Sequence, residues 1–146
     1  MTIEDRAVDG RGPNSALHAR QYLDSDGASV DHPAVGRLVL LYTMGRVSGE
    51  IRRTPLRFFE VGQDLLVAAS NRGGPNHPDW FLNLQEDPKV WVRRDADFYE
   101  ARAIVVDGAE RDLLWETVVV ATAPQFADYQ AKAPRTIPLA RLLAVG

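Results

Sequence analysis

Residues 45–56 carry groups that bind anions. Their sequence is GRVSGEIRRTPL. The two glycines allow a turn with positive φ, which exposes backbone N–H groups. Arg46 and Arg52 add forked cations, so the segment can hold phosphate or a string of carboxylates. Ser48 and Thr54 add hydroxyls. A solvated hairpin is the alternative that these residues leave open, and their order is not that of a Walker loop.

Residues 69–83, with the sequence ASNRGGPNHPDWFLN, could hold a flat ring. Paired glycines beside a strand end let the backbone approach a ring closely. Trp80 and Phe81 could form the walls of such a site, and the amide of Asn83 could bond to the ring edge. A surface loop that leads into a helix with core aromatics is the alternative.

Residues 124–130, with the sequence PQFADYQ, contain a candidate proton donor. Phe126 and Tyr129 are three residues apart, so both can lie on one side of a helix. A tyrosine hydroxyl at a pocket mouth can donate a hydrogen bond or a proton. Packing of both rings in the core is the alternative.

Composition excludes several kinds of chemistry. The 146 residues include no cysteine, which excludes disulfides, thiolate catalysis and zinc–cysteine sites. His18, His32 and His77 lack metal-ligand spacing, and there is no Gly-x-Ser-x-Gly nucleophile elbow. The formal net charge of −3 gives no reason to expect nucleic-acid binding. The longest apolar run, residues 38–42, is too short to span a bilayer, so we expect a cytoplasmic protein.

The elements that must position these segments follow from hydrophobic periodicity. Residues 1–13 are polar and glycine-containing, which predicts a disordered tail before a single domain over 14–146. Strands are predicted over 37–43, 52–60, 65–69, 89–93, 98–106 and 137–145. Helices are predicted through residue 23 with Asn14 or Ser15 as the cap, over 78–86, after Asp107, and over 125–133. Mostly antiparallel strands with late helices indicate an α+β domain built on a small barrel.

The helix after Asp107 has two further predicted features. Asp107 with Glu110 resembles a capping box. Leu114, Val118 and Ala121 are spaced i, i+4, i+7, which predicts that they form its buried face.

Taken in order, these segments resemble the actinobacterial family of deazaflavin-dependent nitroreductases and quinone reductases, within the split β-barrel flavin/deazaflavin superfamily. Residues 43–49 (TMGRVSG) resemble the family's TTGRKSG turn, and residues 52–56 (RRTPL) its RxTPL strand. Residues 68–74 (AASNRGG) resemble its ASKGG loop, residues 77–84 (HPDWFLNL) its HPxWYxNL helix, and residues 128–130 its DYQ. The likeness covers about residues 18–142, and the order and spacing of the motifs make it specific.

The resemblance implies a split β-barrel that binds the deazaflavin coenzyme F420. The phosphate and oligoglutamate tail would be held by Arg46, Val47, Ser48, Arg52, Arg53, Thr54, Pro55 and Leu56. The ring system would be held by Ala68, Ala69, Ser70, Asn71, Asp79, Trp80, Phe81, Leu82 and Asn83. Ser70 and Tyr129 would be the catalytic residues, and Phe126 and Tyr129 would border the substrate pocket.

The activity implied is hydride transfer from reduced F420 to a quinone, an activated enone or a nitro compound. An FMN-dependent split-barrel reductase and a non-catalytic F420 carrier are the alternatives. The expected partner is a small-molecule acceptor, without nucleic acid or a membrane span. Peripheral membrane contact, and either a monomer or a homodimer, agree with the sequence.

The chain departs from the family pattern at several of these positions. Val47 stands where a basic residue is usual, and Asn71 stands where lysine is common. Ala123 and Phe126 occupy positions that resemble substrate-side tyrosines, so Tyr129 is the hydroxyl that remains there.

Overall fold

The computed structural model describes residues 2–10, 15–27 and 37–145. Asn14 and His32, named above, lie outside the described residues. The helices are α1 (Ile3–Arg6), α2 (Ser15–Ser25), α3 (Asp79–Glu86), α4 (Gly108–Leu114) and α5 (Gln125–Lys132). The strands are β1 (Val8–Asp9), β2 (Leu38–Met44), β3 (Ile51–Arg57), β4 (Phe59–Val61), β5 (Asp64–Ala68), β6 (Lys89–Arg94), β7 (Asp97–Val106) and β8 (Leu139–Ala144).

The eight strands of these described ranges belong to one sheet in the order β1-β3-β2-β6-β7-β8-β5-β4. The neighbours pair antiparallel except β1 and β3, which pair parallel. This confirms the predicted α+β class with a mostly antiparallel sheet. No helix in the described parts of the chain is long and apolar enough to cross a membrane.

The sheet is curled around an apolar core. Strands β2 and β5 are not neighbours in the sheet, yet both send alternate side chains into one buried cluster. Two strands that are distant in the sheet can share a core only if the sheet rolls over it. The strand residues of this cluster are Val39, Leu41, Leu65, Val67, Val90, Val92, Ala101, Ala103, Ala140 and Leu142.

The outer surface of the sheet is covered by helices at two places. Leu40 and Tyr42, which alternate with the inner residues of β2, pack with Ala19 and Tyr22 of α2. On β5 and β8 the outward residues pack with α4, α5 and the segment between them. The alternation of inward and outward apolar residues explains why both faces of these strands are buried.

The N-terminal residues differ from the expected tail. Residues 3–6 form α1, whose first turn carries a capping box between Thr2 and Asp5. The Glu4 carboxylate accepts hydrogen bonds from the Tyr42 hydroxyl at 3.3 Å and from Arg93 at 2.8 Å. Strand β1 then pairs with β3. The partners of this polar segment lie on β2, β3 and β6, far along the chain.

The single strand predicted over 52–60 is interrupted at Phe58. Strand β3 lies near one end of the sheet, beside β2, while β4 lies at the other end, beside β5. The chain therefore has to cross between the two ends at Phe58, whose ring is buried in the inner core. The other predicted strands and helices are present, with ends shifted by no more than two residues apart from α4.

The predicted details of α4 hold only in part. Asp107 precedes the helix, but its side chain makes no capping hydrogen bond. Leu114 and Val118 are half-buried against the core, but Ala121 is exposed, and the fully buried positions are Trp115, Val119 and Ala123. The reason is a π-helical segment, Trp115–Val120, that follows α4 directly. Its wider turn brings every fourth residue to the same face.

Arg111 fixes the segment between α5 and β8. Its guanidinium is buried and donates to the Ile137 carbonyl through Nε at 2.9 Å and Nη2 at 2.8 Å. Nη2 also donates to the Gln130 side-chain oxygen at 2.9 Å, and the Gln130 amide donates to the Arg135 carbonyl at 2.7 Å. The glutamine of the DYQ motif thus ties α5 to residues 135–137.

Replacing Arg111 by methionine should destabilise the fold. The substitution leaves the Ile137 carbonyl and the Gln130 amide oxygen without their buried cationic donor, so we expect the free energy of unfolding to fall by roughly 2–4 kcal/mol. Urea denaturation measures this loss. Arg102→Met, on the exposed side of β7, is the matched control and should change stability by less than about 0.5 kcal/mol. Equal effects of the two variants would contradict the role of Arg111.

Candidate functional site

A cavity of about 840 Å³ opens beside the β2–β3 turn, the outer part of β3, the loop after β5 and the start of α3. Its volume lies within the range of roughly 300–1,000 Å³ that is usual for small-molecule sites. The described parts of the chain contain no group of three His, Cys, Asp or Glu side chains that could hold a metal ion.

Most of the residues suggested by the sequence line this cavity, although they come from four separate segments. The lining includes Arg46, Val47, Ser48, Arg52, Thr54, Pro55, Leu56, Ala68, Ser70, Asn71, Asp79, Trp80 and Asn83. The structure therefore brings the anion-binding turn and the ring-binding loop to one place.

Six suggested residues lie outside the lining of the cavity. Arg53 points to the other face of β3, where its Nε donates to Asp9 at 2.6 Å. Ala69 and Phe81 are buried in the inner core, and Leu82 is half-buried on α3. Phe126 and Tyr129 belong to the C-terminal helical cluster described next.

Phe126 is a core residue of the C-terminal helices. Its ring makes edge contacts with Phe59, Trp115 and Tyr129, at centroid distances of 5.5, 6.3 and 5.2 Å. Tyr129 is half-buried beside it. In this structure the Phe126 ring therefore packs in the core and does not line the cavity.

The outer edge of β3 explains why residues 54–56 border the cavity. Within the described residues, β1 pairs only with Arg52 and Arg53 of this strand. Pro55 has no N–H to donate, so the edge beyond Arg53 is a suitable place for it. The cavity lies beside the part of β3 that β1 does not cover.

Asn83 joins the β2–β3 turn to α3. Its buried side-chain oxygen accepts from the Arg46 backbone N–H at 3.2 Å and from Arg46 Nη1 at 2.8 Å, while its nitrogen donates to the Thr43 hydroxyl at 3.1 Å. Arg46 also approaches Asp79 Oδ1 at 3.4 Å. The amide suggested as a contact for the ring edge thus also holds Arg46 at the cavity.

The loop after β5 contains three consecutive residues in the left-handed region. Asn71, Arg72 and Gly73 have φ values of 45°, 54° and 79°. Left-handed geometry costs about 1–2 kcal/mol for a residue with a Cβ, so the turn needs support from outside. A Cβ on Gly73 would lie 2.7 Å from the Tyr129 carbonyl oxygen, which shows how closely the turn packs on α5.

Sequence reasoning missed Arg135, which gives the loop that support. Its guanidinium donates to the carbonyls of Ala69, Ser70 and Gly74, each at 3.1 Å, and Nη1 lies 2.8 Å from Nδ1 of His77. Arg135 comes about sixty residues after the loop, in a segment with no motif that was singled out. Nothing in the local pattern could have identified it.

The N-terminal segment also contributes to the lining. Gly10, Ser15 and His18 border the cavity, together with Arg72 and His77 from the opposite loop. Gly10 donates its N–H to the Arg53 carbonyl, and a Cβ there would lie 2.8 Å from the Thr54 hydroxyl. Gly10 falls in the expected tail, and Ser15 and His18 fall in the predicted first helix, so no motif in the sequence indicated this wall.

Two glycine substitutions separate backbone strain from steric overlap. Gly62 has a φ of 60° and no atom within 4 Å of the place that a Cβ would take, whereas Gly73 combines a φ of 79° with the Tyr129 carbonyl at 2.7 Å. We expect Gly62→Ala to lower the free energy of unfolding by about 1 kcal/mol, and Gly73→Ala by roughly 2–4 kcal/mol. Denaturant titration of both variants measures the difference. Equal losses would show that the turn does not pack tightly on α5.

The amino-acid sequence is similar to a known protein family and to a mycobacterial relative. The sequence profile described as F420H(2)-dependent quinone reductase matches residues 15–143. An F420H(2)-dependent quinone reductase of Mycobacterium tuberculosis is 29% identical over 127 residues, which cover 84% of this chain and 85% of the relative.

Two solved structures share the fold. An F420-H2 dependent reductase, FDR-A, has a TM-score of 0.65 and 32% identity, and the match covers 77% of this chain and 96% of FDR-A. A structure described as a domain-swapped dimer has a TM-score of 0.67 and 29% identity, with coverage of 87% and 96%. These likenesses confirm the split β-barrel. The chain belongs to the F420H(2)-dependent quinone reductase family.

Proposed function

We propose that this chain is an F420H2-dependent reductase that transfers a hydride to a quinone, with activated enones and nitro compounds as further acceptors. The observation that carries the proposal is the shared cavity, which is lined by each of the motif segments from the β2–β3 turn to α3. Family membership and the relatives' names support the cofactor.

The cavity fits a cofactor with an anionic tail. Arg46, Arg52 and Arg72 reach it from three different positions. Arg52 makes long contacts, to the Asp9 carbonyl at 3.3 Å and to Glu50 at 3.5 Å. A phosphate or carboxylate can replace such contacts with shorter charge-assisted bonds. The hydroxyls of Ser48 and Thr54 lie at the same cavity.

The cavity also fits a flat ring. Leu56, Ala68 and Trp80 present apolar surface, and Asn71 and Arg72 of the left-handed turn border the same cavity. When bound, reduced F420 supplies the hydride. The protein then has to position the acceptor, exclude water and provide a proton to the reduced product.

Ser70 is the proton donor that the cavity supports best. It lines the cavity, and its carbonyl is held by Arg135 and by the Gly73 N–H. A hydroxyl on a backbone fixed in this way is pre-positioned, which favours stabilisation of charge that develops on an acceptor oxygen. Tyr129 remains the second candidate, from the edge of α5.

We also propose a partner, a cellular compartment and an oligomeric state for this chain. The partner is a small-molecule acceptor, and the protein acts in the cytoplasm, with peripheral membrane contact as an option. The domain-swapped dimer among the related structures supports a homodimer over a monomer. A non-catalytic F420 carrier would share the same cavity but would not reduce an acceptor.

Titration with F420 and with FMN tests the cofactor. We expect F420 to bind more tightly, because its oligoglutamate tail supplies anions for the arginines. Arg52→Ala should weaken F420 binding by about 1.5–3 kcal/mol, and the wild type should lose more affinity on added salt than the variant. Arg102→Ala serves as the control. Equal or tighter FMN binding, or an unchanged Arg52→Ala variant, would contradict the proposal.

Stopped-flow oxidation of the bound, reduced cofactor by a quinone tests the proton donor. Ser70→Ala should slow acceptor reduction by roughly 10- to 1,000-fold when the variant is saturated with reduced cofactor. Tyr129→Phe, which removes only a hydroxyl, is the comparison, and we expect a smaller effect because its ring lies outside the cavity lining. A large effect for Tyr129→Phe alone would transfer the role to Tyr129. No quinone reduction by the wild type would favour the carrier.

A further inference from the structure

Arg135 contacts both the backbone of the loop after β5 and the ring of His77. Its guanidinium bonds to three carbonyls, of Ala69, Ser70 and Gly74, and to the His77 ring. Two of these carbonyls precede the left-handed turn at 71–73 and one follows it. The guanidinium therefore links the backbone on the two sides of the turn.

This arrangement compensates for the strain of the turn. The left-handed conformations of Asn71 and Arg72 persist only where surrounding contacts over-determine them. Gly73 and Gly74 donate their own N–H groups to the carbonyls of Ser70 and Asn71, and the Asn71 amide donates to the Asn76 carbonyl. Arg135 adds the long-range contacts that anchor this local network to the segment before β8.

The contact with His77 fixes the position of a proton. Arginine nitrogens only donate hydrogen bonds, because the guanidinium remains charged and offers no lone pair. Nδ1 of His77, at 2.8 Å from Arg135 Nη1, must therefore be the acceptor. A neutral imidazole that accepts at Nδ1 carries its proton on Nε2. His77 itself lines the cavity and packs against Phe81 at 5.1 Å.

We propose that Arg135 is a positioning residue of this cavity: it holds the left-handed turn and fixes His77 as the neutral Nε2–H tautomer, which offers a donor to a carbonyl oxygen of the bound ring system. The donor role rests on the proposed function, because the ring belongs to the cofactor. The tautomer and the support of the turn do not depend on it.

The charged surroundings of His77 agree with a neutral ring. Burial, and secondly the positive charge of Arg135, lower the pKa of His77 below its ordinary value. Asp79 in α3 lies next to Arg46, and Phe81 of the same helix contacts the ring. Arg72, across the turn, adds positive charge to the same cavity.

Nitrogen NMR of the cofactor-free protein tests the tautomer. With ¹⁵N-labelled histidine, and with His77→Gln to assign the signals, we expect the proton of His77 on Nε2 at pH 7. Arg135→Met should increase the population of the Nδ1–H tautomer, because Nδ1 loses the donor that keeps it deprotonated. A proton on Nδ1, a doubly protonated ring at pH 7, or an unchanged tautomer in Arg135→Met would overturn the proposal. If Arg135→Met does not fold, the wild-type spectrum decides alone.

Affinity for F420 tests the donor. Glutamine can place an amide N–H near the position of Nε2, so His77→Gln should bind within about threefold of wild type, whereas His77→Leu should lose roughly three- to tenfold, the scale of one neutral hydrogen bond. Arg135→Lys keeps the charge but cannot span the turn, and should lose about tenfold or more. Equal binding by the two His77 variants would overturn the donor role. Absence of F420 binding by the wild type would instead overturn the proposed function.

The pH dependence of stability gives an independent measurement. Because the pKa of His77 is lowered in the folded state, the unfolded chain takes up its proton first as the pH falls past about 6.5. His77 therefore contributes a loss of stability as the pH falls through about 6.5 toward its lowered folded-state pKa. We expect His77→Gln to reduce this loss. An identical pH profile for the variant would contradict a neutral, half-buried ring.

Discussion

Buried backbone carbonyls need hydrogen-bond donors, and where no strand or helix is adjacent a side chain has to supply them. Two arginines do so here. Arg111 binds the carbonyl of Ile137, and Arg135 binds three carbonyls of the loop after β5. Gln130 connects the two systems, since it accepts from Arg111 and donates to the Arg135 backbone. The shape of the cavity therefore depends on the irregular segment between α5 and β8.

Local sequence patterns predicted most of the sheet, while the residues that line the cavity were indicated by the order of the family motifs. The glycine turn before β3 and the HPDW start of α3 have their own local signals, and the apolar run of β2 predicted a strand there. The parts that could not be predicted depend on distant partners. The N-terminal segment contacts Tyr42 and Arg93 through Glu4 and pairs with β3 through β1. The π-helical segment displaces the buried face of α4 toward Val119.

The departures from the family motifs have little effect on the fold itself. Val47 is 90% exposed, so a basic residue at this position would add charge without packing. Asn71 uses its amide inside the loop, as a donor to the Asn76 carbonyl, and asparagine tolerates the left-handed region better than lysine. The motif arginines Arg46 and Arg52 line the cavity, and Arg72 adds a further positive charge to it. The chain therefore lacks a basic residue at positions 47 and 71, although both positions still line the cavity.

The position of β8 has a consequence for how the chain reaches this structure. It is the last strand in the described sequence, yet it lies between β7 and β5 in the interior of the sheet. Until it docks, the β4–β5 hairpin has no strand that joins it to the rest of the sheet. Contacts between residues so far apart in sequence form slowly, because loop closure must precede them. During synthesis, the barrel can therefore close only after residues 139–144 have left the ribosome.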